Sequence, residues 1–589
     1  MDTPALFVIL ALIAYGIAYL WYSRWYDRAV WTPDPARTTP AHMLMDGVEY
    51  FPVSRYVLWG YQFKSVAALG PILGPFIAVQ YGWLPALLWI IVGNFFIGWL
   101  QDYSAIMVSV RNEGRSFGPI TYEFMGSSGR TTLLWFVILY LLIISATFIF
   151  FIATFFNIFP GVFWATIGVL VTGVIVGRLL YRLRWNVGLV TVLALIGVGL
   201  SIVIATNVGV LHVAKGFLGD NTILFWAIVT AVILYMGSVL PLPTFIQPIN
   251  YVAFFPAIVA IIVILISSLI TPFTGVALQQ SAFKTAYPSL NVGPIWPILF
   301  VAIACGAISG WHSLVGSSST SKQLDVETDA RPVGGGAMLT EGLLALASLA
   351  AYMVLSSKDT GLGSVGAWVL GAGVLSKPWL GFLGDALLGT FFGLVLVIYA
   401  LTVQALVTRF WRLVSAELAG DGRFQILGEK HVATVIGLVV PVAFAINGSW
   451  WNLWLYFGAS NQLLAGLALM IVSIHLVRTK RDTRPSIIPA TFMIITTLSA
   501  LVWEIWVFVN AVISGTPLVS AGTTFAQPGF KNVALAFNGI FVIFGVLLLY
   551  FGLRMTVASY GAYFRFRSGE APPAPEAQPH PVSGGAGGR

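Results

Sequence analysis

Three ionisable side chains, Lys64, Asp102 and His312, stand inside stretches that are otherwise apolar. A charge in hydrocarbon is costly unless it is paired or wet, so such residues either lock helices together or mark ion and substrate routes. Lys64 lies about nine residues in from one end of its segment and Asp102 about nine in from the same end of the next, which puts both roughly 13 Å deep at a helical rise. Adjacent antiparallel helices would bring them together at that depth, as an ion pair fixing two helices or as a pair that titrates or faces substrate. A fixed charge at Lys64 would also stand in for a bound cation. The His312 ring titrates near neutral pH when unperturbed, so it reads as a proton carrier or, more plainly, as a hydrogen-bonded helix residue.

A second set of groups is neutral. Ser309 and Ser313 are four apart in IWPILFVAIACGAISGWHSLVG and share a helix face. With Gly306, Gly310 and Gly316 they fit close helix packing; with the carbonyls of Ala68 and Leu69 they would form a sodium site. Asn461 and Gln462, after Gly458, can bridge helices or contact substrate. The stretch 317–336, SSSTSKQLDVETDARPVGGG, reads as an inner gate, with Glu341 as its partner, and Glu504 reads as a packing or oligomer contact.

The backbone supplies a third signal. Residues 55–81, RYVLWGYQFKSVAALGPILGPFIAVQY, are long and apolar enough to cross a bilayer, yet contain Gly70, Pro71, Gly74 and Pro75. Each proline removes a donor and crowds the preceding turn, so an uninterrupted helix would leave polar backbone in hydrocarbon. A break of this kind in a transporter exposes amides to anions and carbonyls to cations. The run MGSVLPLPTF, with Gly237, Pro241 and Pro243, predicts a second break.

The elements that must hold these groups follow from composition. Of 589 residues, 58% are hydrophobic and only 9% charged, and the mean hydropathy is +0.89. This predicts an all-α polytopic membrane protein embedded in a lipid bilayer. About fifteen spans are expected, among them 4–22, 55–81, 83–110, 131–157, 221–248, 294–316, 334–356, 380–409, 451–477 and 486–512. The start, MDTP, lacks a basic leader, so the first span reads as a retained helix. Loops after odd-numbered spans, with the C-terminus, hold 24 of the 30 Lys and Arg, the other loops hold 5, and Lys64 is the remaining one. That asymmetry places the N-terminus outside and the C-terminus in the cytoplasm. It also accounts for the net charge of +8 without any nucleic-acid partner.

The two predicted breaks are five spans apart and therefore run in opposite directions. The expected architecture is a LeuT/APC-like 5+5 inverted repeat, spans two to six (55–210) and seven to eleven (211–410). Residues 1–54 form an N-terminal helix and connection, 411–567 peripheral helices, and 568–589, rich in Pro, Gly and Ala, a disordered tail. The lone cysteine, Cys305, excludes a disulfide framework, and neither a G-x-x-x-x-G-K-[ST] loop nor an H-E-x-x-H cluster occurs. An ATP-driven pump and a polytopic enzyme therefore lack their signatures, and no cofactor is expected.

Several runs carry a resemblance. YVLWGYQFKSVAALGPILGPFIAVQYG, LPALLWIIVGNFFIGWLQDY, RNEGRSFG, SGWHSLVGSSSTSKQLDVETDARPVGGGAML, LTVQALVTRF and LWLYFGASNQLLAGLAL occur in order between about residues 50 and 475. Together they resemble the carbon starvation protein A family. The resemblance implies an inner-membrane secondary transporter for peptides or pyruvate, coupled to H+ or Na+. Three places depart from the family pattern: Tyr61 and Gln62 replace a pair of histidines, Ala405 after Gln404 replaces an aspartate, and Lys64 replaces a small residue. The substrate carboxylate would meet the amides freed around Gly70–Pro75 and Gly237–Thr244. The competing readings are a uniporter or channel, and a nutrient sensor with a transporter fold.

Overall fold

With almost no polar surface available, the chain satisfies its backbone within helices, as hydrocarbon requires. The computed structural model describes residues 3–208, 222–241, 244–284, 293–361, 364–420, 424–521 and 523–569. Among them are 13 helices long and apolar enough to cross a membrane, or 14 with the bent pair Arg55–Val66 and Gly70–Tyr81 counted as one span. The remaining expected span, the ninth (294–316), is also present but in two short pieces, Ile295–Ala302 and Gly310–Ser318. An additional short helix, Ala367–Leu380, lies in what reads as a loop. Its 14 residues extend only about 21 Å, less than a bilayer core.

Burial separates an inner set of helices from an outer one. The most apolar windows of Phe117–Ile158 and Trp450–Arg478 are each 89% buried, against 28% for Ala5–Trp31 and Val187–Asn207. The placing of 411–567 as wholly peripheral is therefore corrected, because Trp450–Arg478 runs through the centre. Small residues on both sides of its contacts explain how: its own Gly458 lies against the Val301 backbone, and Gly310 of a neighbouring helix against that of Asn461, so helices meet backbone to backbone. The helix Phe117–Ile158 bends at Gly126, whose φ of 77° suits glycine alone.

The predicted break in 55–81 occurs at Ala67–Leu69, just before the first Gly-Pro step, and its two halves are bent by 46°. Pro71 stands in the first turn of the second half, where its missing donor has no partner to lose. Pro75 lies inside that half-helix.

The second predicted break is corrected. The helix Thr222–Val239 ends at this point, and Pro241 lies in the connection to Ile246–Leu269. Arg412 donates to the Ser238 carbonyl at 2.6 Å and Arg409 to that of Leu240 at 3.0 Å. Cationic side chains on the last carbonyls finish the helix, so no mid-membrane unwinding is needed. Gly237 is buried within the helix, and Pro243 lies outside the described residues.

Candidate functional site

The break that faces Ala67–Leu69 is in the ninth span. From Ile303 to Ser309 the chain leaves the helix, with Ser309 at φ −143° and ψ 130°. A β-carbon on Gly74 would fall 2.7 Å from the Ala302 carbonyl oxygen and 2.9 Å from Ile303 Cα. One on Gly70 would overlap Cys305. The glycines of the Gly-Pro steps therefore let the two broken spans touch.

Unwinding frees carbonyls, and side chains from distant helices collect them. Gln462 donates to the carbonyls of Phe300 at 3.0 Å and Ile303 at 3.2 Å, Trp454 to Ala302 at 3.0 Å, and Trp89 to Phe300 at 3.1 Å. Asn461 accepts from the Trp311 amide at 3.0 Å and from Tyr140 at 3.1 Å, and donates to Ser309 at 3.0 Å. Asn461 and Gln462 thus cap the two half-helices of the ninth span.

The expected Lys64–Asp102 pair does not form. Asp102, on Trp99–Arg111, turns toward Gly310–Ser318, where its Oδ2 lies 2.9 Å from His312 Nδ1. His312 Nε2 lies 3.0 Å from Glu341 Oε2 on Gly336–Met353, off the line of a ring N–H bond. All three side chains have no exposed surface. Residue count gives a position along the helix axis and says nothing about azimuth. Glu341 is corrected likewise: its partner is His312, not the 317–336 stretch. An acid inside span ten was the available signal.

The triad can hold a mobile proton. A neutral imidazole has one N–H, so it satisfies one carboxylate and presents a bare lone pair to the other. One further proton, on the ring or on a carboxyl, removes that clash. Asp102 Oδ1 and both Glu341 oxygens have no hydrogen-bond partner among the described residues.

Lys64 is buried at 1% exposure in the last turn of Arg55–Val66. It donates to Thr402 Oγ1 at 2.6 Å and stands 5.0 Å from the centre of the Tyr399 ring. Among the described residues it makes no ion pair, although Glu341 is close enough for their charges to interact. Nothing in the sequence marks Thr402 and Tyr399, since neutral residues of one helix carry no sign of a partner on another.

The sodium set is not assembled. Gln101 Nε2 donates to Ser313 Oγ, aiming an N–H at the oxygen a cation would need. Ser309 is engaged with Asn461, and the Leu69 carbonyl accepts the amides of Ile72 at 3.0 Å and Leu73 at 2.8 Å. Leu69 therefore caps the second half-helix, and Ala68 is buried beside it.

A cavity of about 370 Å³ approaches this centre from one end, lined among others by Tyr61, Trp311, Lys322, Leu406, Arg409 and Phe410. Tyr61 lies one turn before Lys64, and Leu406 one turn beyond Thr402. Trp311 stands at the cavity's inner edge, its indole N–H bonded to the Ser65 carbonyl at 2.9 Å and its ring 6.0 Å from Phe410. The same end is closed elsewhere by the buried Arg111–Glu327 pair and by Asp34, whose amide donates to Glu327 at 2.8 Å.

Comparison with known proteins supplies a lineage. The pyruvate/proton symporter BtsT of Escherichia coli (strain K12) is 32% identical over 380 residues, 61% of this chain and 51% of its own length. This chain therefore matches about half of that relative. The peptide transporter CstA of Bacillus subtilis (strain 168) is 28% identical over 563 residues, covering 85% of this chain and 90% of the relative. That of Campylobacter jejuni is 26% identical over 562 residues, covering 83% and 79%. Among solved structures, the manganese transporter of Eremococcus coleocola aligns with a TM-score of 0.43 at 14% identity, over 89% of this chain and 99% of that one. The family described as carbon starvation protein CstA matches residues 3–371 and 361–500. That match takes in both broken spans, the triad and the central helix: the chain belongs to the carbon starvation protein CstA family.

Proposed function

We propose that this protein is a secondary active transporter of the inner membrane that imports a small carboxylate-bearing nutrient, pyruvate or a peptide, together with protons. The observation that carries the reading is the Asp102–His312–Glu341 triad, fully buried and set beside two facing helix breaks. Structural ion pairs are ordinarily complete, whereas this one leaves both Glu341 oxygens without a hydrogen bond. Relatives named for pyruvate/proton symport and peptide transport support the substrate class and the coupling ion.

In this reading Lys64 receives the substrate carboxylate. It is a buried amine that makes no ion pair among the described residues, and it stands one turn beyond the cavity, behind Trp311. The amides that begin the half-helix at Gly70 add a positive end beside it. A proton taken up by the triad offsets the negative charge near Lys64 as the anion arrives, and leaves when the anion does. The positive-inside asymmetry supports a cytoplasmic assignment for the cavity's open end and for the C-terminus, with the N-terminus outside. The facing breaks at 67–69 and 303–309 are seven spans apart and so antiparallel. We place the axis of an inverted repeat between them, which shifts the second repeat away from the expected 211–410.

Uptake of labelled pyruvate and of a labelled dipeptide into tight liposomes, with proton and sodium gradients imposed separately, tests the reading. Accumulation driven by an inside-alkaline gradient and indifferent to sodium is the expected result. Accumulation that follows sodium alone, or none of either compound, overturns it.

A further inference from the structure

At the same end of the bundle, a cavity of about 730 Å³ opens between the ends of Trp450–Arg478, Arg484–Ser514 and Lys531–Arg567. Its wall carries Arg478, Lys480, Arg481, Arg484 and Arg567 against one acid, Asp482. Two of these cations are already engaged. Arg478 pairs with Glu123 at 2.7 Å and lies over the Phe124 ring, and Arg481 donates to the carbonyls of Val30 and Trp31. Lys480, Arg484 and Arg567 have no carboxylate within 4 Å among the described residues. The N-terminus of the 31-residue helix Arg484–Ser514 borders the same space with its first amides already taken: Asp482 accepts from the Arg484 amide at 3.0 Å, Pro485 has none, and the Thr483 carbonyl accepts from Ser486 at 3.0 Å and Ile487 at 2.8 Å.

The walls are held in place. Tyr563 and Thr483 share a hydrogen bond at 3.0 Å that ties the last helix to the turn. The Arg481 amide donates to the Leu476 carbonyl at 2.8 Å, closing that turn on the preceding helix. Ile487 and Phe564 complete the lining with apolar surface. A phosphate is the group that three converging cations, without a carboxylate partner among the described residues, recognise. An apolar flank at the end of membrane helices adds a reason for that phosphate to carry acyl chains.

We propose that this cavity binds the phosphate of an anionic phospholipid headgroup, with Lys480, Arg484 and Arg567 as its ligands. Each cation near a membrane surface favours an anionic lipid by about fivefold, so the three together select it by roughly a hundredfold at moderate salt. The preference weakens as salt is raised.

The purified full-length protein in phosphatidylcholine nanodiscs, doped with labelled phosphatidylglycerol, provides the test. The expected result is retention of the label on re-isolation into detergent, roughly a hundredfold over labelled phosphatidylcholine. The triple variant Lys480→Gln/Arg484→Gln/Arg567→Gln should bring that ratio close to one, while Arg484→Lys/Arg567→Lys keeps most of it. A photo-activatable phosphatidylglycerol on the unaltered protein should label peptides within 480–487 or 563–569. Undiminished retention in the triple variant, or labelling confined to other peptides, overturns the site. Displacement of the label by inorganic phosphate alone overturns the lipid as occupant and assigns the cavity to a free anion.

Discussion

Replacing Glu341 with Gln tests the proton pathway most directly. The Asp102–His312 contact, aligned at 2.9 Å, keeps its proton in place, so the mobile proton belongs to the Glu341 side, where neither carboxyl oxygen is hydrogen-bonded. One mobile proton per cycle sets the magnitude. For a monocarboxylate, each pH unit of inside-alkaline gradient then supplies about 1.4 kcal/mol, or roughly tenfold accumulation at equilibrium. An amide of the same shape cannot be protonated in this range, so the Glu341→Gln protein should accumulate pyruvate about onefold whatever gradient is imposed. Since His312 retains Asp102, the stability cost should be that of a single buried polar contact, about 1–3 kcal/mol. The assay is labelled-pyruvate uptake into proteoliposomes at several imposed gradients, alongside exchange against unlabelled pyruvate with no gradient. Retained exchange shows that the variant is folded and binds substrate. If it retains exchange and still accumulates pyruvate tenfold per pH unit, Glu341 is not the carrier and the triad is structural.

Other outcomes follow from the same geometry. Lys64→Gln removes a charge-assisted bond worth about 1.5–3 kcal/mol, so KM for a carboxylate substrate should rise roughly 10- to 150-fold, and an unchanged KM removes Lys64 from the binding site. Trp311→Ala takes away the indole between the cavity and Ser65; a cysteine introduced at Ser65 should then react with a membrane-impermeant thiol reagent from the cavity side, and equal protection in both backgrounds would refute the idea that Trp311 shields Ser65. Gly74→Val forces side-chain atoms onto the Ala302–Ile303 backbone, 2.7 to 2.9 Å from where a β-carbon would lie, and should destabilise the protein by about 1–3 kcal/mol or more, read as a lower melting temperature in detergent. Asn461→Leu leaves the Trp311 amide and the Tyr140 hydroxyl without their acceptor, a cost of about 1–3 kcal/mol for each group left unsatisfied, and the same melting assay checks it.

By itself the sequence determined the environment, and with it most of the helices. A chain that is 58% hydrophobic and 9% charged has to satisfy its backbone internally, and a bilayer-length window recovers the spans because length and hydropathy are local properties. It also marked Lys64, Asp102 and His312, since a charge among apolar residues is conspicuous whatever surrounds it. Tertiary structure decided who meets whom. Depth along a helix follows from residue count, but Asp102 faces His312 rather than Lys64 because of how the helix is rotated by its neighbours. The first break was legible through prolines, which act on their own backbone. The second, at Ile303–Ser309, contains no proline. It exists because Gln462, Trp454 and Asn461, about 150 residues further along, take up the hydrogen bonds that unwinding releases. The prolines near Gly237 mark an ordinary helix end, whose last carbonyls are taken by Arg409 and Arg412 of another helix. Bonds of that length in sequence exist only once the bundle has closed.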